Sequence, residues 1–372
     1  MKDNKRIIFL TGATGLVGSY LLKILLQEGY KVYALARSKD NKNARDRVRD
    51  VLKFWDKDIL DRKSHNLIVL EGDITEKNLG LGKQSIDLLK NEIEEVFHCA
   101  AATRFNAPLK VLRKVNLEGT RNILELCCEW RREGIFNKIN YLSTAFICGD
   151  YKGIFKEDDF NLNQNFNNNY EQSKSEAEAL VRKYIENGMQ ALIFRPSIVV
   201  GDYVSGKTID FKMFYEPLHL LSLEIFSEVP LNTKTFLNLI PVDLAAKAIY
   251  TLSVKKNTNK VYHITSPKDF PIDYIVDKAS SFFHFEKPKY VGLDRYKVIS
   301  KSPAAKKILE IFIPYFNFRA LFSSYKTQTI LKKYSFEYPS IDDEFLYRIF
   351  KFCSDKRFIK TKSKRDTIKN ES

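Results

Sequence analysis

The chain has 372 residues, of which 44% are hydrophobic and 29% charged, a composition typical of a globular protein with one large domain and a smaller lobe. No stretch reaches the about 18 consecutive apolar residues of a membrane span, and the short polar N-terminus is unlike a secretory signal, so we expect a cytoplasmic protein. The formal net charge of +15 comes without a nucleic-acid-binding motif, which favours a solvated basic surface over a nucleic-acid partner.

The first predicted strand, residues 6–10, leads into a glycine-rich turn and then a helix with apolar residues at helical spacing. Glycines in the turn let the backbone approach a pyrophosphate, and the helix N-terminus supplies free N–H groups. A glycine-rich loop without a ligand is the alternative. The residues predicted to contact a dinucleotide here are Thr11, Gly12, Thr14, Gly15, Leu16, Val17 and Gly18.

The second predicted strand, residues 31–36, ends at Arg37-Ser38-Lys39. An acidic residue at this position would accept from the ribose 2′-hydroxyl of NAD, whereas Arg37 and Lys39 suit the 2′-phosphate of NADP. The sequence therefore favours NADP as the cofactor, and NAD stays an alternative. Surface charges at the start of a loop would also explain these residues.

Two further predicted strands, 66–70 and 95–99, are followed by residues suited to the rest of the cofactor. Asp73 and Ile74 follow the third strand, where such folds hold the adenine. Ala100 and Ala101 follow the fourth strand, where small side chains let a nicotinamide ribose pass close to the backbone.

Later strands at 138–142, 191–194 and 260–265 continue the alternation of strands and helices. This pattern predicts an α/β fold with a doubly wound parallel sheet and ligands at the carboxyl ends of its strands. The predicted organisation is a dinucleotide-binding domain at 1–266 with 203–238 contributing to the substrate site, a mainly helical substrate lobe at 267–350, and a basic flexible tail at 351–372.

The stretch Tyr170-Glu-Gln-Ser-Lys174 is the second motif that indicates chemistry. On a helix, Tyr170 and Lys174 share a face, and an ammonium beside the phenol would lower the tyrosine pKa, which suits a general acid or base. A surface pair is the alternative for so common a spacing. Ser143 and Thr144 end the fifth strand, where a hydroxyl can bind a substrate carbonyl.

Together these motifs resemble the extended short-chain dehydrogenase/reductase family over roughly the first 250 residues. The resemblance implies a Rossmann fold and assigns catalytic roles to Thr144, with Ser143 beside it, and to Tyr170 and Lys174. It also implies that Asn116, in VNLEGT, belongs to a proton relay. The stretch FRPSIVVGD resembles the family's segment beside the nicotinamide, which adds Pro196, Ser197 and Ile198 as cofactor contacts.

Within that family, residues 98–109, 142–146, 240–243 and 261–266 resemble fatty acyl-CoA reductases and thioester-reductase domains. The implied reaction is hydride transfer from NADPH to an acyl thioester carried by coenzyme A or an acyl carrier protein. Two- and four-electron reduction both stay open. The alternatives are a sugar-nucleotide epimerase or dehydratase, a ketone reductase and, last, a non-catalytic nucleotide-sensing scaffold.

The segment 306–325 is apolar and aromatic with basic ends, so either a peripheral membrane contact or a core helix interrupted at Pro314 is expected. The oligomeric state stays open, with a homodimer as one option. Aromatic residues of the later chain are candidates for an acyl channel, with ordinary core packing as the alternative; they are Phe211, Phe214, Tyr215, Phe226, Phe282, Phe283, Phe312 and Phe316.

Overall fold

A computed structural model describes residues 6–254, 260–294 and 302–361. The strands are β1 (Ile8–Thr11), β2 (Val32–Ala36), β3 (Leu67–Glu71), β4 (Glu95–His98), β5 (Lys138–Leu142), β6 (Gly153–Phe155), β7 (Ala191–Pro196), β8 (Ile198–Val200), β9 (Glu228–Val229), β10 (Phe236–Pro241), β11 (Val261–Ile264), β12 (Asp269–Pro271), β13 (Lys289–Tyr290) and β14 (Ala320–Phe322). The helices are α1 (Leu16–Gln27), α2 (Ala44–Trp55), α3 (Ile59–Lys63), α4 (Lys83–Glu92), α5 (Leu109–Arg113), α6 (Gly119–Glu133), α7 (Asn169–Glu186), α8 (Tyr215–Ser222), α9 (Val242–Val254), α10 (Ile272–Phe283), α11 (Pro303–Phe316), α12 (Tyr325–Lys333) and α13 (Asp343–Asp355).

Seven strands form one parallel sheet in the order β11-β7-β5-β4-β1-β2-β3. Strands β1 and β2 are buried along their whole length, as expected for apolar strands covered on both faces. Helices α1, α2 and α9 contribute to the core on one face, and α4, α6 and α7 to the core on the other. The predicted doubly wound parallel sheet is confirmed, and its strand order reverses between β1 and β4, which opens a crevice at their carboxyl ends.

A second core lies beyond the carboxyl ends of the strands and is built from several separate parts of the chain. It combines α8, α10, α11 and α13 with small sheets, β12-β10-β8, β13-β9 and β14-β6. The second core therefore combines residues of the predicted lobe 267–350 with residues of 203–238, which the sequence analysis also assigned to the substrate site, and it further includes residues of 146–155. The early segments 146–155 and 198–239 carry aromatic and aliphatic side chains that are buried only once the C-terminal helices cover them.

The C-terminal segment differs from the flexible tail predicted to start at residue 351. Helix α13 begins at an Asp342 side chain that caps it and runs to Asp355, and both Phe352 and Ile359 are buried. The high proportion of lysine masked an apolar stripe at helical spacing, so the prediction is wrong for residues 351–361. The remaining tail, 362–372, lies outside the described residues.

The apolar segment 306–325 forms most of α11 and strand β14. Its Leu309, Phe312 and Phe316 side chains are buried in the second core, and Pro314 lies within the last turn of the helix. The alternative of a core helix therefore describes α11. None of the helices in the described part of the chain has both the length and the apolar character needed to cross a membrane.

Candidate active site

The glycine turn after β1 is shaped by close backbone contacts. Gly12 has φ +76°, and a Cβ there would lie 2.6 Å from the backbone nitrogen of Ala100. A Cβ on Gly18 would lie 2.2 Å from the carbonyl oxygen of Gly12, so a side chain at either position requires the backbone to move. Helix α1 begins after Gly15 without a side-chain cap. These uncapped N–H groups, beside a backbone with no Cβ in the way, fit the pyrophosphate of a dinucleotide.

The residues at the adenosine end form a connected polar group. Arg37 donates to the Asp73 carboxylate at 3.1 Å, and Arg47 donates to the carbonyl of Arg37 at 2.5 Å and to the hydroxyl of Thr14 at 3.4 Å. Arg47 thus spans from the end of β2 to the glycine turn. Arg47 is not among the cofactor contacts predicted from the sequence. Its position in the first turns of α2, after the Asn43 cap, was the available signal.

The other adenosine-end predictions lie around this group. Lys39 is exposed in a tight turn, with its ammonium 3.6 Å from Asp40. The Asp73 carboxylate also accepts from the Thr75 backbone N–H at 2.9 Å. Ile74 is buried and packs against Gly119, where a Cβ would come within 2.7 Å of the isoleucine side chain. Ile74 thus contributes to the packing of the loop after β3 against α6.

A buried histidine, His98, lies beside the glycine turn that follows β1. The ring of His98 is hydrogen-bonded to the hydroxyls of Thr11 at 2.7 Å and Thr120 at 3.1 Å. Burial lowers the pKa of His98 to about 3, so the ring is neutral at physiological pH. The Thr11 hydroxyl also accepts from the Ala100 N–H at 3.3 Å, which fixes the chain after β4 against the end of β1.

Asn116 connects the loop after β4 to helix α7 through hydrogen bonds. It lies in a π-helical turn, Lys114–Glu118, between α5 and α6. Its side-chain oxygen accepts from the Ala102 N–H at 2.7 Å, while its Nδ2 donates to the Ala102 carbonyl at 3.0 Å and to the Ser173 hydroxyl at 2.9 Å. These bonds occupy the amide in positioning the loop, and the role in a proton relay stays a prediction.

Tyr170 lies in the first turn of α7 and lines the same cleft as Thr144, whose hydroxyl acts to lower the pKa of the phenol. The Thr144 oxygen also accepts from the Phe146 N–H at 3.2 Å, so Thr144 caps the short helical turn after β5. Two hydroxyl groups therefore meet at the carboxyl end of β5, where a carbonyl oxygen can accept from both.

Lys174 is held by the end of β5. Its Nζ donates to the Tyr141 hydroxyl and to the Leu142 carbonyl, both at 2.8 Å, and lies 4.4 Å from the centre of the Tyr141 ring. Burial lowers the pKa of Lys174 to about 7 and raises the pKa of Tyr170 to about 12. The pKa of Tyr170 thus shifts in the direction opposite to the expected one, because burial of the phenol outweighs the opposing interaction with Thr144.

Ser143 is occupied in a buried ion-pair network. Its hydroxyl donates to Glu178 at 2.6 Å, and Glu178 accepts from Arg195 at 2.7 Å, with both charged side chains fully buried. Ser143 thus supports the strand end that presents Thr144. Glu178 and Arg195 are not among the site residues predicted from the sequence.

The segment after β7 forms the opposite wall. Ser197 donates to Asn238 at 2.6 Å, which locks its side chain between β8 and β10. A cleft of about 350 Å³ brings most predicted site residues together. Those that line it are Thr14, Gly15, Leu16, Val17, Gly18, Ala101, Ser143, Thr144, Tyr170, Lys174, Pro196, Ser197 and Ile198.

An apolar chamber of about 60 Å³ adjoins this cleft. Phe105, Phe146, Ile198 and Met213 line both spaces, and the chamber extends between α8, α10 and α11. Of the predicted channel aromatics, Phe214, Phe312 and Phe316 line the chamber, and Tyr215 lines the cleft. The others pack elsewhere: Phe211 stacks on Phe352 and Phe358, Phe226 and Phe283 lie in the second core, and Phe282 contacts Tyr347 and Phe350.

Comparisons with known proteins identify the family of this chain. Residues 10–249 match the profile of an NAD-binding family described as male sterility protein. The chain is 27% identical over 292 residues to aldehyde reductase lnaA of Aspergillus flavus, and 25% identical over 366 residues to a linear gramicidin synthase of Brevibacillus parabrevis. These alignments cover 73% and 92% of this chain. The chain spans 27% and 7% of the length of those two relatives.

A solved structure shows the same fold. The terminal R domain from the myxalamid PKS-NRPS biosynthetic pathway superimposes with a TM-score of 0.82 and 24% sequence identity. The superposition covers 98% of this chain and 94% of the R domain. The similarity therefore includes the second core as well as the parallel sheet.

Proposed function

The chain belongs to the male sterility protein family and is an NAD(P)-dependent oxidoreductase of the extended short-chain dehydrogenase/reductase type, and we propose that it reduces an acyl thioester. The observation that carries the proposal is the meeting of the Thr144 and Tyr170 hydroxyls at a cleft that continues from the glycine turn to an apolar chamber. One end of this space suits a dinucleotide, and the apolar lining of the small chamber at the other end suits the first carbons of an acyl chain.

NAD(P)H, when bound, supplies the hydride for the carbonyl carbon. Thr144 and Tyr170 donate hydrogen bonds to the carbonyl oxygen and stabilise the negative charge that develops there. Tyr170 then gives its proton to that oxygen. Its raised pKa keeps the phenol protonated at neutral pH, which a proton donor requires.

Lys174 organises this part of the site. Two of its N–H groups are used on Tyr141 and Leu142, and the third remains for the ribose of a bound cofactor. Because burial lowers the pKa of Lys174 to about 7, only part of the protein molecules carry a protonated Lys174 at neutral pH before the cofactor binds. Breaking the C–S bond of the resulting hemithioacetal, with loss of its hydroxyl proton and release of the thiol, gives an aldehyde. A hydride from a second NAD(P)H and a proton would convert the aldehyde into an alcohol.

Coenzyme A and acyl carrier proteins present an acyl group on the same pantetheine thiol, so either source satisfies the site. We propose both as donors. The wide cleft mouth, where Asp210 and Lys212 line the wall, is where the polar arm would enter.

The proposed function is tested by following the absorbance of NADPH after the protein is mixed with NADPH and dodecanoyl-CoA. A parallel assay replaces dodecanoyl-CoA with a dodecanoyl carrier protein. We expect oxidation of NADPH and formation of dodecanal or dodecanol. Failure to oxidise NADPH with either thioester or with dodecanal refutes the proposal. Protein that instead retains tightly bound NAD and converts a sugar nucleotide would be an epimerase.

We propose NADPH as the preferred cofactor because Arg47 and Arg37 lie beside the end of β2. Replacement of Arg47 by alanine should raise the KM for NADPH about tenfold, the loss expected for one charge-assisted phosphate contact, and leave the KM for NADH nearly unchanged. The matched control is Arg49→Ala, an exposed arginine two residues further along α2. Equal effects of Arg47→Ala on both cofactors would argue against a 2′-phosphate contact.

A further inference from the structure

A second buried carboxylate lies next to Tyr170 and is not used in the proposed chemistry. Glu171 is completely buried in the first turn of α7. Its carboxylate accepts from the Asn167 backbone N–H at 2.8 Å and from the Tyr315 hydroxyl at 2.5 Å. Burial raises the pKa of Glu171 to about 7. Burying a carboxylate costs free energy unless hydrogen bonds compensate. The hydrogen bonds of Glu171 therefore indicate its structural role.

The carboxylate joins the catalytic helix to the C-terminal lobe. Tyr315 comes from α11, 144 residues further along the chain, and its hydroxyl also accepts from Nδ2 of Asn168 at 2.6 Å. Asn168 is the N-cap of α7 and accepts from the Glu171 N–H at 3.0 Å. The side chains of Asn168, Tyr315 and Glu171, together with the backbone N–H of Glu171, thus form a closed set of hydrogen bonds at the start of the helix that carries Tyr170.

The same tyrosine reaches Tyr170 through its ring. Tyr315 stacks on Phe105 with ring centres 5.4 Å apart, and Phe105 stacks on Tyr170 with ring centres 5.5 Å apart. Phe105 lines both the cleft and the apolar chamber. The Phe105 ring is therefore held between the proposed proton donor and a residue whose own position depends on Glu171.

We propose that Glu171 and Tyr315 are positioning residues that orient the phenol of Tyr170. Their hydrogen bond holds α11 against the first turn of α7, and the Tyr315 ring presses Phe105 onto Tyr170. This proposal rests on the proposed function, because it assigns the pair to the placement of the proton donor. It predicts that the C-terminal lobe sets the rate of the chemical step as well as enclosing the substrate.

The test is Tyr315→Phe, which removes one oxygen and keeps the ring. Using NADPH and dodecanal, we expect kcat to fall about tenfold while the KM values for both substrates stay within about twofold, since a small misplacement of a catalytic group slows chemistry more than binding. With 4-deuterated NADPH, the isotope effect on kcat should increase. Glu171→Gln keeps an acceptor for Tyr315 and should lower kcat only about threefold.

The matched control is Tyr274→Phe, which removes a hydroxyl that donates to Asp343 on the surface of the same lobe and should leave kcat unchanged. Wild-type kinetic values in Tyr315→Phe, or a rise in KM with unchanged kcat, refute the positioning role and leave the proposed function intact. If Tyr315→Phe does not fold, unchanged kcat and isotope effect in Glu171→Gln refute it. Wild-type protein that reduces neither dodecanoyl thioesters nor dodecanal refutes both proposals.

Discussion

Replacement of Tyr170 by phenylalanine is expected to lower kcat by about 10²–10⁴-fold, the range for removal of a positioned general acid. The variant loses the proton donor and one of the two hydroxyls that meet at the end of β5, while Thr144 remains. The ring contact with Phe105 at 5.5 Å needs no hydroxyl, so the fold and the cleft should persist. Affinity for NADPH should change little, because the glycine turn is untouched.

The measurement is single-turnover oxidation of NADPH with dodecanal, together with NADPH binding followed by its fluorescence. Tyr347→Phe is a suitable control, because Tyr347 is exposed on α13 and lies away from the cleft. Thr144→Val should be intermediate, since Tyr170 still donates to the oxygen. A Tyr170→Phe variant that keeps half of the wild-type rate would remove Tyr170 from the mechanism.

The parallel sheet was predictable because its strands carry their own signal. β1 and β2 are short, mainly apolar runs, and the strands alternate with helices that have one apolar face, a pattern compatible with few other folds. The predicted strand bounds differ from the observed ones by at most two residues, and those of β5 coincide. Burial on both faces leaves little freedom in such elements, so local sequence is sufficient.

The second core was predictable only in part because its apolar residues come from distant segments. Phe146 contacts Phe318 and Phe322, and Phe211 stacks on Phe358. Such pairs have no common period in the sequence, and each segment alone is consistent with a loop. The segment 351–361 differs from these pairs, because its apolar residues do follow a helical spacing that the neighbouring lysines masked.

The electrostatics of the candidate site depend on burial, which spacing does not reveal. The spacing of Tyr170 and Lys174 places both on one helix face, and the structure agrees. The pKa of Tyr170, however, is raised because burial removes solvent from around the phenol. Likewise, Ser143 and Thr144 are indistinguishable as sequence neighbours, whereas in the fold one hydroxyl donates to Glu178 and the other faces Tyr170.

The largest effect on stability is expected from Glu178→Ala. Its carboxylate is fully buried and accepts from Arg195, Arg182 and Ser143, so the variant leaves the Arg195 guanidinium buried without its partner. Removing one member of such a pair costs about 3–5 kcal/mol in the free energy of unfolding. Urea unfolding of the wild type and the variant at pH 7 measures this loss in the free energy of unfolding. Because Arg195 and Arg182 anchor β7 and α7, the strand end at Ser143 should also become less ordered.

Glu176→Ala provides the matched control on the same helix. Glu176 pairs with Arg113 at 2.6 Å, but both side chains are partly exposed, and such pairs contribute about 0–1 kcal/mol. A loss in Glu178→Ala no greater than in Glu176→Ala would show that the buried pair contributes little.

The pH dependence of stability provides an independent test of the same network. Burial works to raise the pKa of Glu178, but the charges of Arg195 and Arg182 and the bonds from Arg195 and Ser143 outweigh it and hold the pKa below its ordinary value. A carboxylate with a lowered pKa in the folded state stabilises the protein above the pKa of the unfolded chain, near 4, and loses that contribution as pH falls through the folded-state value. Wild-type protein should therefore lose stability steeply below about pH 4, and the Glu178→Ala variant should show a shallower slope there. Parallel slopes for the two proteins would mean that Glu178 keeps an ordinary pKa and that Arg195 is neutralised by another group.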